Sequence, residues 1–96
     1  MLIRWREQAE ADLDEIFDYL IDRNPHAALR VRLAIREHTT LLAEHPGMGR
    51  PGRVTSTREL VIARTPYVVA YTVDARADTV IILRVLHGAR QWPDEL

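Results

Sequence analysis

The hydrophobic pattern of this chain changes once, near its middle, from a helical spacing to strand-like runs. Between residues 7 and 45, apolar side chains recur every three or four positions, as on one face of an α-helix. Between residues 57 and 87 they form three short runs rich in Val, Ile, Leu and Tyr. This division predicts an α+β protein in which helices cover one face of a mostly antiparallel sheet.

Two amphipathic helices are predicted in the first half. The first begins at Glu7 and has an acidic outer face. The second begins at Asn24-Pro25, because Asn accepts a bond from an unpaired amide and Pro lacks an N–H that would be unpaired anyway. It ends at His45-Pro46-Gly47, and the tight connection makes an antiparallel hairpin. The predicted inward stripes are Ala9, Leu13, Ile16, Phe17, Leu20 and Ile21, then Ala27, Val31, Ala34, Ile35, His38, Leu41 and Leu42.

Four strands are predicted around these helices. The first covers residues 2–5, and three more cover residues 57–64, 67–74 and 79–87. The connections between the last three are short, which favours a sequential antiparallel meander. Residues 48–56 contain two Gly and one Pro and are predicted to form a loop. The predicted order is β-α-α-β-β-β in one domain over residues 1–96.

The connection between the second and third strands sets which tyrosines face the helices. A two-residue loop at Thr65-Pro66 places Ala63 opposite Val68. Tyr67 and Tyr71 then lie on the bulkier face, under the helices. We therefore expect them in the core, although aromatic rings in this arrangement also suit stacking on nucleic-acid bases.

The next turn sets the position of a cation. If Asp74 pairs with Asp78, Arg84 lies opposite Val68. Glu59 shares that open face. The sequence therefore predicts a cation in the middle of an open sheet.

Composition excludes several classes of chemistry. The chain has no Cys, which rules out disulfides, thiolate nucleophiles and Cys-based zinc sites. All 13 basic residues are Arg, so lysine chemistry is absent. The histidines His26, His38 and His45 do not build a convincing metal site, because no nearby carboxylate completes a ligand set with them, and we expect neither a metal nor a cofactor. No apolar run suits a bilayer or a signal peptide, so we expect a cytoplasmic protein without membrane contact.

Charge is spread unevenly despite a formal net charge of −1. Residues 1–48 carry −3 and residues 49–96 carry +2. The segment between positions 49 and 73 contains four arginines and a single acid, Glu59. Such a local basic patch suits phosphates or an acidic peptide. The predicted binding residues are Arg50, Arg53, Arg58 and Arg64, with Trp92 as an anchor for the tail.

Several segments together resemble the RelE/ParE superfamily of toxins from bacterial type II toxin-antitoxin modules. The resemblance covers nearly the whole chain. Its strongest parts are Arg58-Glu59-Leu60-Val61, Thr65-Pro66-Tyr67-Val68-Val69-Ala70-Tyr71 and Leu83-Arg84-Val85-Leu86-His87-Gly88-Ala89-Arg90-Gln91-Trp92. Ala11-Asp12-Leu13-Asp14-Glu15-Ile16 and Pro46-Gly47-Met48-Gly49-Arg50 also fit.

The resemblance implies a growth-inhibiting toxin of the kind associated with plasmid stabilization. It would be neutralised by a cognate antitoxin, and the pair would contact operator DNA only through that antitoxin. RelE-like members cleave messenger RNA in the ribosome without metal, whereas ParE-like members poison DNA gyrase. Many ribonuclease members carry an Arg where this chain has Val68, and they often end in a His-Tyr pair or a late Tyr. Here His87 precedes Gly88 and no Tyr follows Tyr71, which favours the ParE-like branch.

The alternative is a ribosome-dependent endoribonuclease, and a further one is an inactive member kept for antitoxin binding. RNA cleavage needs a base, an acid and a cation for the phosphate. The candidates are His87 as acid or base, Glu59 as base, and Arg84 with Arg90 as the phosphate clamp. His87 equally suits a strand end where it satisfies a backbone group, and Arg84 equally suits a carboxylate of the antitoxin.

Overall fold

A computed structural model describes residues 1–96, which form two helices and five strands. Neither helix has the length and apolar character needed to cross a bilayer. In chain order the elements are β1 (Leu2–Trp5), α1 (Glu7–Ile21), α2 (Pro25–Leu41), β2 (Arg50–Pro51), β3 (Arg58–Val61), β4 (Tyr67–Asp74) and β5 (Thr79–His87).

The five strands form one sheet in the order β1-β5-β4-β3-β2. β1 pairs with β5 in parallel, and every other pair is antiparallel. The predicted α+β class is confirmed, with one strand more than the four predicted. The added strand, β2, lies in the predicted 48–56 loop, where Arg50 pairs with Glu59. Two residues including a Pro carry no strand pattern, so this pairing arises from tertiary contacts.

The helices follow the predicted start signals, with one shift at the end of α2. The side chain of Asn24 accepts the N–H of Ala27 at 3.1 Å, as expected for a helix cap. α2 ends at Leu41, before the predicted His45. In its last turn Thr39 occupies the core, where its hydroxyl donates to the Ile35 carbonyl at 2.9 Å. Leu41, predicted to face inward, is exposed.

The core lies between the helical hairpin and one face of the sheet. Both tyrosines of β4 are buried there, which confirms the predicted core assignment. The largest fully buried side chains include Tyr71, Leu13, Ile35, Leu42, Ile62, Ile82, Val69 and Val80.

The strand register differs from the prediction in two places, although the face of each tyrosine is unchanged. Val68 pairs with Val61 and not with Ala63, because the connection is longer than two residues and covers positions 62–66. Arg84 pairs with Ala70 and not with Val68.

The reason for the second shift lies in β5. Asp74 pairs with Thr79, one residue later than predicted. A bulge then adds Leu83 to β5 between the rows of Tyr71 and Ala70. A bulge bends and twists its strand, so it changes the direction of the side chains beside it.

A buried tyrosine holds the segment between α2 and β2. The Tyr71 hydroxyl donates to the Pro46 carbonyl and accepts the Gly49 N–H, both at 2.8 Å. Arg58 donates from Nη1 to the Gly49 carbonyl at 2.7 Å. A side chain at Gly49 would meet this arrangement, since its Cβ would lie 2.6 Å from the Tyr71 hydroxyl oxygen, whereas a Cβ at Gly47 would meet nothing within 4 Å.

We expect Gly49→Ala to lower the free energy of unfolding by about 1–3 kcal/mol, because the added methyl group overpacks against the tyrosine and the Glu59 backbone. Gly47→Ala is the matched control, and it should be neutral or stabilising by up to about 1 kcal/mol. Urea denaturation of both variants measures the difference. Equal stabilities would show that Tyr71 does not hold this segment in place.

Candidate functional site

A buried carboxylate on α1 organises one end of the sheet. Asp12 accepts the Nε and Nη2 of Arg84 at 2.8 and 3.1 Å. It also accepts the Val85 N–H at 2.9 Å and the Gln8 side-chain amide at 3.1 Å. The hydrogen bonds that Arg84 donates to Asp12 raise the pKa of Arg84, which stays charged. Arg84 is thus held by Asp12 and does not stand free on the open face.

This arrangement follows from the shortness of β1. β1 pairs with β5 only as far as Ile82, and the Arg6 N–H makes the last bond, to the Ile82 carbonyl. The chain then turns into α1 at Glu7. Asp12 lies on the inward side of that helix. Its carboxylate accepts the N–H of Val85, a bond that a carbonyl of β1 would accept if β1 continued along β5.

A second buried carboxylate, Glu59, lies on β3. Only 3% of Glu59 is exposed. It accepts the Arg53 N–H at 2.7 Å, the Arg53 Nε at 3.2 Å and Nη2 of Arg50 at 3.1 Å. Burial alone would raise the pKa of this carboxyl group, but the hydrogen bonds from both arginines outweigh that effect and lower the pKa below its usual range. Glu59 is therefore a charged carboxylate whose charge is balanced by two arginines, and it is a poor proton acceptor near neutral pH.

The same Arg53 reaches the C-terminal tail. Its guanidinium carbon lies 3.8 Å from the centre of the Trp92 ring. The Trp92 indole N–H donates to the His87 carbonyl at 3.2 Å. Trp92 therefore anchors the tail, and it does so through β5 and the segment that carries Arg53.

Beyond the end of β1, a cleft of about 980 Å³ opens between α1, the last residues of β5 and the tail. We call it the edge cleft. Apolar and aromatic side chains line it, together with Glu15, Arg84, His87 and Arg90. Its apolar lining includes Ile16, Leu20, Pro66, Tyr67 and Trp92.

His87 is the last residue of β5 and lines this cleft. Its ring meets the Tyr67 ring edge-on, with the centroids 5.8 Å apart. Its Nδ1 accepts the Ala89 N–H at 3.1 Å, so a neutral His87 carries its proton on Nε2. Burial raises the pKa of the Tyr67 hydroxyl, while the charge of Arg90 opposes that shift.

The structure gathers three of the four predicted catalytic side chains and separates the fourth. Arg84, His87 and Arg90 line the edge cleft. Glu59 pairs with Ala70 of β4, whereas His87 pairs with Tyr67. Residues three apart on a strand point to opposite faces. Glu59 and His87 therefore lie on opposite faces of the sheet and do not form an acid-base pair.

The predicted binding arginines do not form one patch of free cations. Arg50 and Arg53 are paired with Glu59, and Arg58 is bound to the Gly49 carbonyl. Arg64 is exposed in the turn before β4, with a positive φ of 67°. No three His, Asp or Glu side chains come close enough together to hold a metal ion.

Sequence reasoning missed the role of Asp12. The hydrophobic pattern predicts an acidic outer face for α1 and gives Asp12 no role of its own, but Asp12 follows the buried Ala9 by three positions and precedes the buried Leu13. An acid inside an apolar stripe is the signal that identifies it, because a buried carboxylate needs partners.

Comparison with known proteins places these features in a family. The profile described as "ParE toxin of type II toxin-antitoxin system, parDE" matches residues 3–92. The protein Y4kP of Sinorhizobium fredii is 45% identical, over 98% of this chain and 95% of its own. Toxin RelE2 of Caulobacter vibrioides is 41% identical, over 90% and 93% of the two chains. A solved structure of the chromosomal ParDE toxin-antitoxin system from P. aeruginosa has a TM-score of 0.78 at 32% identity, covering 88% and 92%.

We expect Glu59→Gln to lower the free energy of unfolding by about 1–3 kcal/mol at pH 7, because two arginines lose their anion and its hydrogen bonds weaken. The difference from the unchanged chain should persist above pH 4.5. It should shrink as the pH falls through the lowered pKa, where Glu59 itself becomes protonated.

Chemical denaturation between pH 3 and pH 7 measures this difference. Glu37→Gln, at an exposed position of α2, is the control and should leave the curve within about 0.5 kcal/mol of the original. A destabilisation by Glu59→Gln that stays constant down to pH 3 would contradict the assignment of a charged Glu59.

Proposed function

The chain belongs to the RelE/ParE superfamily of type II toxins, and from that premise we propose that it arrests growth by inhibiting DNA gyrase. It is the toxin component of a type II toxin-antitoxin system. The proposal follows the ParE-like branch and requires binding to the target without any covalent chemistry by this chain.

The observation that carries the proposal is the separation of the acid-base candidates. Glu59 is buried under two arginines on one face of the sheet, and His87 pairs with Tyr67 on the other. The guanidinium of Arg84 is already bound to Asp12. Cleavage of RNA needs a base, an acid and a phosphate clamp around one bond, and these residues do not surround a common point.

Similarity alone does not separate the two branches. The family profile and the P. aeruginosa structure carry the ParE name, while the Caulobacter relative carries the RelE name. The geometry of the candidate residues therefore decides which target we propose.

The partner that we propose is a cognate antitoxin, as in the ParDE system to which the chain is similar. The antitoxin would neutralise the toxin and would carry all contact with operator DNA. The site of action that fits this role is the cytoplasm, where gyrase works on DNA.

One observation favours a ribosome-dependent endoribonuclease instead. His87 and Arg90 line the same cleft, and neither has a carboxylate partner. A histidine that carries its proton on Nε2, in a cleft that also holds an arginine without a carboxylate partner, has the groups to protonate a leaving oxygen next to a phosphate. The third alternative is an inactive member that only binds antitoxin, and it requires no catalytic groups in the cleft.

We expect the purified chain to inhibit the supercoiling of relaxed plasmid by purified gyrase, and His87→Ala and Arg90→Ala to retain growth arrest on induction. Antitoxin-bound toxin is the control and should leave gyrase active. His87 and Arg90 are the informative positions, because Arg84→Ala would also remove the partner of a buried carboxylate.

Unchanged supercoiling, together with transcripts cut at codons inside translating ribosomes, would replace the gyrase proposal with the endoribonuclease. Loss of cleavage in His87→Ala would then mark that side chain as catalytic. Absence of growth arrest from the unchanged chain would point to the inactive member.

A further inference from the structure

We propose that helix α2 carries a self-complementary face through which two copies of this chain form a weak antiparallel dimer, about a two-fold axis beside Leu33. The inference does not depend on which target the toxin has. It concerns the side of α2 that faces away from the core, and α2 contributes no residue to the edge cleft.

Three exposed leucines give this side of α2 an apolar stripe. Leu29, Leu33 and Leu41 are 54%, 59% and 50% exposed. At about 100° per residue they fall within an arc of about 120°, and Leu33 lies about 160° around the helix from the buried Ile35. Single exposed leucines are ordinary on a protein surface. Three on one side of one helix form a patch that favours a contact with another molecule.

Two charged side chains on the same side of α2 have no partner within the chain. Arg30 and Glu37 are exposed and form no salt bridge. They lie seven residues apart, about 10 Å along the helix axis, so they do not pair with each other. By contrast, Arg32 and Arg36 pair with acids of α1. Arg30 and Glu37 are therefore available for a contact outside the chain.

The spacing of these side chains fits a two-fold axis. When two α2 helices pack antiparallel about an axis between residues 33 and 34, Arg30 lies at the level of Glu37 of the second copy, and the same pair forms again at the other end. Leu33 meets its own copy at the axis. Arg30 and Glu37 lie on the same flank of Leu33, about 60° and 40° around the helix from it, so the opposite charges meet on one side of the contact.

This symmetry favours a second copy over other occupants. A two-fold contact requires every group of a surface to meet its complement on the same surface. The cation, the anion and the central leucine of this face meet that requirement in a single register. With one free cation and one free anion, the face also offers no net charge to the phosphates of a nucleic acid.

The size of the contact sets its strength. α2 has 17 residues, so it is about 25 Å long. We expect one pair of such helices to bury less than the roughly 1,200 Å² of a typical stable interface. The dimer should therefore be weak, with a dissociation constant between about 10 μM and 1 mM.

Exchange of the two charges tests the contact. Arg30→Glu and Glu37→Arg each place like charges opposite each other at both ends, so each should raise the dissociation constant at least about tenfold. The double variant restores opposite charges and should return to within about threefold of the unchanged chain. Arg76→Glu, the same charge change in an exposed turn, is the matched control and should have little effect. Sedimentation equilibrium measures all of these constants.

Disulfide formation tests the position of the axis, because the chain has no Cys of its own. In the proposed register, Leu33 and its copy are about 1.5 Å apart along the helix axes, whereas Leu29 and its copy are about 13 Å apart. A disulfide needs Cα atoms within about 7 Å. Leu33→Cys should therefore give a covalent dimer on oxidation, and the similarly exposed Leu29→Cys should stay largely monomeric.

Thermal melting of each variant establishes that it folds. An unchanged chain that stays monomeric at about 1 mM would overturn the proposal. So would a double charge variant as weak as the single ones, or cross-linking at Leu29 in place of Leu33. Single charge variants that lose antitoxin binding and keep self-association would assign this face to the antitoxin, which also overturns the proposal.

Discussion

The carboxylate of Asp12 joins helix α1 to strand β5 across 72 residues of sequence, and the end of the sheet depends on it. β1 is too short to pair with all of β5, so the bulged strand beyond Ile82 would leave an N–H and a guanidinium without partners. Asp12 satisfies both, at 2.9 Å and 2.8 Å. Removing a single partner from such a buried pair costs about 3–5 kcal/mol, because the other charge is left uncompensated.

This constraint also shapes the function. Arg84 is bound to Asp12, and Glu59 is bound to Arg50 and Arg53. Two of the predicted catalytic side chains therefore form ion pairs that stabilise the fold. What remains available at the surface is the edge cleft, lined by apolar and aromatic side chains together with His87 and Arg90. Those groups suit recognition of another protein better than cleavage of a phosphodiester bond, which is why we propose inhibition by binding.

The sequence predicted the parts of the structure that depend on local pattern. The Asn24-Pro25 start of α2, the meander and the burial of Tyr67 and Tyr71 follow from spacing and turn chemistry. The register did not follow, because the bulge at Leu83 and the five-residue connection after β3 are set by packing. The sequence identifies Arg50, Arg53, Arg58 and Arg84 as cations. Their carboxylate and carbonyl partners are separated from them in sequence and come close only in the folded structure. Asp12 was missed because a solvated helix face is the usual place for an acid, although its position inside an apolar stripe distinguishes it.

A double-mutant cycle on Asp12 and Arg84 tests the central claim most directly. Asp12→Ala, Arg84→Ala and the double variant are unfolded in urea beside the same set for Asp14 and Arg32, an exposed pair of the same chemistry 3.9 Å apart. The account predicts a coupling energy of about 1–3 kcal/mol for Asp12 and Arg84, and less than about 0.5 kcal/mol for the exposed pair. A coupling near zero for both pairs would contradict it, because the end of β5 would then be held in place without Asp12.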